Sequence, residues 1–334
     1  MSKAPDLHDA RVLITGGAGF IGSNLAERLL GLNAQVTLVD SLIPQYGGNL
    51  ANLAKIRKRL DLHIFDVRDP YAMRYLIQGQ DFLFNLAGQT SHLDSMQDPM
   101  TDLGINAAAQ LSILESARMY NPRLRIVFAS TRQVYGKPTY LPVDEMHPIK
   151  PVDINGIHKV AAEEYHRLYS EVYGMSCTSL RLTNTYGPGM RVRDARQTFL
   201  GVWVKQVISG EPIKVYGDGS QLRDFNFIDD AVDAFIRSAL LTEAKGRVLN
   251  LGSSEVISLK DLASLVCEVN GSGRAELVPF PADRKAIDIG DYYSDYGLAK
   301  SILNWDPRVT LRDGIERTLT YYRQNAGNYW ETVA

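Results

Sequence analysis

Thr15-Gly16-Gly17-Ala18-Gly19-Phe20-Ile21-Gly22 is the stretch on which the reading of this chain turns. It follows a short apolar run, Arg11–Ile14, and opens a helical pattern, Ser23–Leu30. Gly16, Gly19 and Gly22 recur at every third position, with Phe20 and Ile21 between the last two. Glycines so placed turn the chain tightly, let a pyrophosphate approach the backbone and pack the helix on the strand. The phosphates of a dinucleotide then face the positive end of that helix. A second apolar run, Gln35–Val39, ends in Asp40, about 20 residues beyond the loop. A carboxylate there accepts hydrogen bonds from the adenosine ribose hydroxyls and repels a ribose phosphate, so the expected cofactor is NAD rather than NADP.

Working outward, the chain has 334 residues, 45% hydrophobic and 22% charged, the balance of a globular protein with a full core. A net charge of −2 provides no general field for nucleic acid or an anionic membrane. No apolar run approaches the roughly 20 residues that a membrane helix needs. Met1–Ala10 is polar and lacks the apolar core of a signal peptide. Cys177 and Cys267 sit in apolar stretches and read as free thiols of a reducing compartment. The expected location is the cytoplasm.

Strand and helix signals alternate through the first half. The expected strands are Arg11–Ile14, Gln35–Val39, Asp61–Phe65, Phe82–Leu86, Arg125–Ala129 and Ser176–Leu182, with Arg247–Leu251 as a later addition. Continuous apolar runs of this length fit strands covered on both faces, and helical patterns such as Thr101–Tyr120 and Asn155–Tyr173 supply the cover. The expectation is an α/β fold, a doubly wound parallel sheet. After Leu182 the pattern changes. Asn184–Arg196 reads as a loop, Gln197–Ser209 as a helix, Pro212–Tyr216 as a short strand, Ser258–Val269 as a helix, Glu276–Phe280 as a strand and Leu311–Arg323 as a closing helix. These pieces predict a smaller, interleaved substrate domain of residues 184–225 plus 255–330, beside a cofactor domain of residues 1–183 plus about 226–254.

Several stretches past strand ends carry chemistry. Asp66-Val67 would meet the adenine, and the small residues of Leu86-Ala87-Gly88 would let the backbone lie against the cofactor. Thr131, in Ala-Ser-Thr-Arg-Gln-Val-Tyr-Gly at 129–136, follows a strand and points a hydroxyl at the crevice where ligands of such sheets bind.

With these residues in place, the chain resembles extended short-chain dehydrogenase/reductases of the nucleotide-sugar epimerase/dehydratase group. The resemblance covers nearly the whole length. It rests on the loop Gly16–Gly22, Ser130-Thr131 with Val134-Tyr135-Gly136, a proline-paced loop through Pro142, Pro148 and Pro151, Lys159, Asn184-Thr185-Tyr186-Gly187-Pro188, Arg223-Asp224-Phe225 and Asp229. It implies a Rossmann domain holding NAD, a C-terminal nucleotide-sugar domain, and transient oxidation of a sugar carbon. It further implies that a tyrosine four residues before the lysine takes the hydroxyl proton, the two sharing one helix face. Asn184 and Arg223 would serve the diphosphate side, with Arg284 in a similar part. Gln197 and Phe199 would line the nucleotide pocket and Ser95 would touch the sugar; the basic stretch 191–196, Arg193 included, reads either as a clamp for the diphosphate or as a solvated loop. Helices Thr101–Tyr120 and Asn155–Tyr173 would pair in a homodimer.

The chain departs from this pattern at two points. The tyrosine position is Asn155, which has no proton to exchange as a base. His158, three residues on, and His92 are the expected substitutes, because imidazole exchanges protons near neutrality. Arg132-Gln133 occupies the place where dehydratases of the group carry an acid–base pair, which disfavours dehydration and leaves sugar or phosphate binding. Tyr296 and Lys300 also have the Tyr-x-x-x-Lys spacing but fall in a stretch that reads as structural. The expected function is an NAD-dependent epimerase of a nucleoside diphosphate sugar. A non-redox isomerase such as a pyranose–furanose mutase, and a silent NAD or nucleotide-sugar binding protein, are the alternatives.

Overall fold

The computed structural model describes residues 7–196 and 198–330. Its centre is a sheet of seven parallel strands. In chain order these are β1 (Arg11–Thr15), β2 (Gln35–Asp40), β3 (Asp61–Ile64), β4 (Phe82–Asn85), β5 (Arg125–Thr131), β6 (Ser176–Leu182) and, after three strands that lie elsewhere, β10 (Val248–Asn250). Across the sheet the order is β10-β6-β5-β4-β1-β2-β3, every neighbouring pair parallel. Val12, Leu13 and Ile14 of β1 and Leu83 and Phe84 of β4 are all without solvent contact, as a sheet with helices on both faces requires.

The chain winds outward in one direction from β1 to β3 and in the other from β4 to β6. The loops after β1 and β4 therefore diverge, and a crevice opens between them at the carboxyl ends. Thr15 fastens its two lips. Its hydroxyl donates to Asn85 Oδ1 (2.9 Å) and accepts from the Leu86 and Ala87 amides (3.0 and 3.1 Å).

The remaining strands form two small sheets. β7 (Asn184–Tyr186), β9 (Leu222–Phe227) and β11 (Val256–Ser258) make one, in the order β11-β9-β7; β8 (Ile213–Tyr216) and β12 (Ala275–Val278) pair in parallel as the other. One buried apolar cluster runs from the β1 region through Trp203, Phe225 and Phe227 to Tyr322, joining these sheets to the large one. Both cysteines are free. No helix among the described residues is long and apolar enough to cross a membrane.

Three differences from the sequence expectation bear on the site. The helix after the glycine loop begins at Phe20, so Phe20 and Ile21 belong to its first turn. The predicted loop at 184–196 begins as β7, because Asn184 to Tyr186 pair with Phe225 to Phe227. The predicted helix Thr101–Tyr120 is helix Pro99–Leu103, one wide π turn at Gly104–Ala108 and helix Ala109–Tyr120. Asp98 caps its start, accepting from the Thr101 amide at 3.1 Å.

Candidate active site

The crevice is lined by Gly16, Gly19, Phe20, Ile21, Gly22, Asp40, Asp66, Val67, Leu86, Ala87 and Gly88 on one side, and reaches Thr131, Asn155 and Lys159 at its far end. Its floor has no room for side chains. Gly16 lies at φ +67°, and a Cβ there would meet the Ala87 backbone at 3.1 Å; a Cβ at Gly22 would lie 2.3 Å from the Gly16 carbonyl. Helix Phe20–Gly31 has an extended glycine at its N-cap, no side-chain cap and no acidic residue in its first turn, so its amides stay open to an anion. Asp40 is anchored by the amides of Ala18 (2.9 Å) and Leu42 (2.8 Å), and burial pushes its carboxyl pKa up. Burial also pulls Asp66 upward, but its three bonds from Arg68, two from the side chain and one from the amide, prevail and hold it below the usual range. This glycine cradle, open helix end and crevice-lining carboxylate fit a dinucleotide.

At the far end, helix Ile154–Tyr173 brings Asn155 and Lys159 into the crevice. Lys159 Nζ donates to the Ala129 carbonyl at 3.0 Å and stands 4.7 Å over the Phe128 ring. Burial brings its pKa down to about 8, against the opposing pull of Asp102 and Glu163. Asn155 is locked: its Nδ2 donates to the Gln89 carbonyl (2.8 Å) and Asp102 Oδ2 (3.2 Å), and its backbone amide to Ser95 Oγ (3.2 Å). Thr131 Oγ1 accepts from the Gln133 amide at 3.3 Å, which leaves its proton for a ligand.

A second cavity meets the first. His92, Arg132, Gln133, Asn184 and Thr198 line both. Farther along, the second cavity is lined by Arg196, Phe199, Lys214, Tyr216, Arg223, Phe280 and Arg284. Arg223 is nearly buried, bonded to the Leu222 and Gly290 carbonyls, with Asp288 Oδ1 at 3.8 Å. Arg284 stands 5.6 Å over the Tyr216 ring, and Arg196 pairs with Asp94 (2.8 Å) and Asp194 (3.2 Å).

Two imidazole–carboxylate pairs flank Asn155. His92 Nδ1 lies 3.0 Å from Oδ2 of Asp153, whose side chain is wholly buried. Asp153 is the N-cap of helix Ile154–Tyr173, its Oδ1 accepting from the Gly156 amide at 2.7 Å, while Oδ2 accepts from Gln133 Nε2 at 3.4 Å and lies near His92 Nδ1 without a hydrogen bond to it. His158 Nδ1 sits 2.6 Å from Asp102 Oδ1, and that carboxylate also accepts from Asn106 and Asn155. His158 and Asp102 line neither cavity.

Other sequence candidates separate as well. Ser95 is fully buried, donates to the His92 carbonyl at 2.7 Å and lines neither cavity. Arg193 is exposed and outside both, whereas Arg196 of the same stretch lines the second. Gln197 lies outside the described residues. Tyr296 and Lys300 both bond Asp306, at 3.3 and 2.6 Å, away from the cavities. Sequence reasoning missed Asp153 and Thr198. An acidic residue directly before a helical run was the available signal for the first.

Residues 12–252 match the NAD dependent epimerase/dehydratase family. The chain is 30% identical over 316 residues to a putative UDP-glucose 4-epimerase of Methanocaldococcus jannaschii, covering 94% of this chain and 99% of that one. Among solved structures, a UDP-glucose 4-epimerase of Thermotoga maritima with UDP-glucose superposes with a TM-score of 0.87 at 27% identity, over 95% of this chain and 99% of the other. A dTDP-glucose 4,6-dehydratase of Streptomyces venezuelae with NAD bound gives 0.87 at 26% identity, over 96% and 99%.

Proposed function

We propose that this chain, which belongs to the NAD dependent epimerase/dehydratase family, is an epimerase of a nucleoside diphosphate sugar in which His92 does the proton transfer that a tyrosine does in its resemblant group. The observation that carries this reading is the junction of the two cavities: His92 lines both and lies 3.0 Å from a buried carboxylate. Nδ1 makes no hydrogen bond to that carboxylate, which acts by its charge, stabilising the cation formed when the ring accepts a proton. The glycine cradle and Asp40 would hold NAD, whose bound nicotinamide supplies a reversible hydride acceptor. His92 removes the proton of the sugar hydroxyl, Thr131 donates to the same oxygen, and the Lys159 ammonium favours its anionic form. The nucleotide fills the second cavity against Tyr216, Phe280 and Arg284, with Arg223 on the diphosphate. Residues 184–225 and 255–330 contribute most of that cavity and form the substrate domain of this reading. Arg132-Gln133 leaves no carboxyl pair for eliminating water, which favours epimerisation over dehydration.

One observation favours a second reading. Asn155 is bonded on its amide side to Gln89 and Asp102 and cannot exchange a proton, which suits isomerisation without redox chemistry. A panel of UDP-, dTDP-, CDP- and GDP-sugars, with products read by NMR and NAD content measured in parallel, separates the two. Epimer formation with transient nicotinamide reduction supports the first. Turnover of a fully NAD-free preparation contradicts it.

We also infer a homodimer through helices Ala109–Tyr120 and Ile154–Tyr173, which leave Leu111, Met119, Tyr120, Ile157, Leu168 and Val172 exposed. Light scattering at twice the 37.2 kDa chain mass is the expected result.

A further inference from the structure

The cations of the second cavity are not alike. Arg196 has two carboxylates, Arg223 two carbonyls with Asp288 beyond them, and Arg284 an aromatic face. Arg132 has neither a carboxylate nor a backbone carbonyl bonded to it. Its Nη2 donates to Asn184 Oδ1 at 3.1 Å and its Cζ stands 5.0 Å over the Tyr292 ring, but Nη1 is shut off from solvent with no hydrogen-bond partner. The carboxylate of Asp224 is already committed, to the Thr183 hydroxyl (2.5 Å) and the Ser294 amide (3.1 Å). Burial accordingly pulls the Arg132 pKa down. Arg132 is partly buried, and the carboxylates that act on it, Asp224 and Asp288, make no bond to it, so an anion that reaches it is favoured. Beside it, Gln133 Oε1 is a buried acceptor with no donor.

The place of Arg132 says which part of the ligand supplies the anion. In a nucleoside diphosphate sugar the order is nucleoside, diphosphate, sugar. Arg223 and Arg284 line only the second cavity, whereas Arg132 lines both and so stands at the cofactor end, with Thr131 and Lys159. The diphosphate belongs to the former and the sugar to the latter.

We propose that Arg132 binds a carboxylate on the sugar itself, so that the substrate is a nucleoside diphosphate uronate rather than a neutral hexose derivative. The planar guanidinium fork suits a carboxylate, and a neutral sugar leaves the fork empty. This inference rests on the nucleotide-sugar reading above.

The test is calorimetric titration of the NAD-loaded protein and of Arg132→Gln and Arg132→Lys. The ligands are UDP, UDP-glucose and UDP-glucuronate, or the dTDP, CDP or GDP equivalents if one of those diphosphates binds more tightly. The wild type is expected to hold the uronate at least about tenfold tighter than the neutral sugar. Arg132→Gln, checked for folding by its melting curve, loses that preference and keeps its affinity for the bare diphosphate, while Arg132→Lys keeps the order of the two sugars. Equal wild-type affinity for acidic and neutral sugars overturns the inference. So does an Arg132→Gln variant that weakens the bare diphosphate and both sugars alike, because Arg132 is then a diphosphate ligand. Neither result touches the nucleotide-sugar reading, which fails separately if no diphosphate or sugar derivative binds.

Discussion

The two imidazole–carboxylate pairs stand on either side of Asn155, yet they differ in contact and in surroundings: His158 is hydrogen-bonded to Asp102, whereas His92 only lies near Asp153. His158 and Asp102 are 2.6 Å apart, and Asp102 gathers Asn106 and Asn155 as well, which closes the pair into the wall between two helices. His92 and Asp153 are 3.0 Å apart, and the imidazole lines the junction of both cavities. On the proposed function the tighter pair is the structural one. Proton transfer to a ligand needs access to that ligand, and a short bond to a buried carboxylate does not supply it.

The largest effect that bears on this contrast is on turnover. His92→Gln is expected to lower kcat/KM by about 10²–10⁴-fold with the fold intact, measured by product NMR and circular dichroism. Next comes stability. Asp102→Ala leaves Asn106, Asn155 and His158 facing a lost carboxylate, and urea unfolding is expected to register a loss of about 3–5 kcal/mol. A third test is the pH profile. The Lys159 ammonium is present below its pKa of about 8 and lost above it, so kcat/KM is expected to fall on the alkaline side of that pH. Because the Asp102 charge pulls Lys159 upward, Asp102→Asn moves that limb to lower pH, while Lys159→Met abolishes it. The smallest effect is that of His158→Gln, about 1 kcal/mol in unfolding and less than about threefold in kcat/KM. A large loss of turnover in His158→Gln would invert the comparison.

Much of the cofactor side was legible in the sequence. Gly16, Gly22 and Asp40 act through local geometry, one strand and one turn, and their spacing carries that geometry directly. The reacting end was legible only in part. Asn155 and Lys159 come from one helix, but the facing of His158 depends on Asp102, 56 positions away on another helix. The partnership of His92 with Asp153 joins residues 61 positions apart, and the isolation of Arg132 Nη1 depends on Asp224 being bonded elsewhere. Such facts are tertiary. β7 hid in a Gly-Pro-Gly stretch because its pairing with β9 overrides a loop-like composition.

The central claim is that His92 removes the sugar proton. It is tested most directly by rapidly mixing NAD-loaded protein with the nucleoside diphosphate sugar that the panel identifies and following reduced-nicotinamide absorbance. The account predicts a transient in the wild type and in His158→Gln, and none in His92→Gln. A transient of undiminished rate in His92→Gln would contradict it.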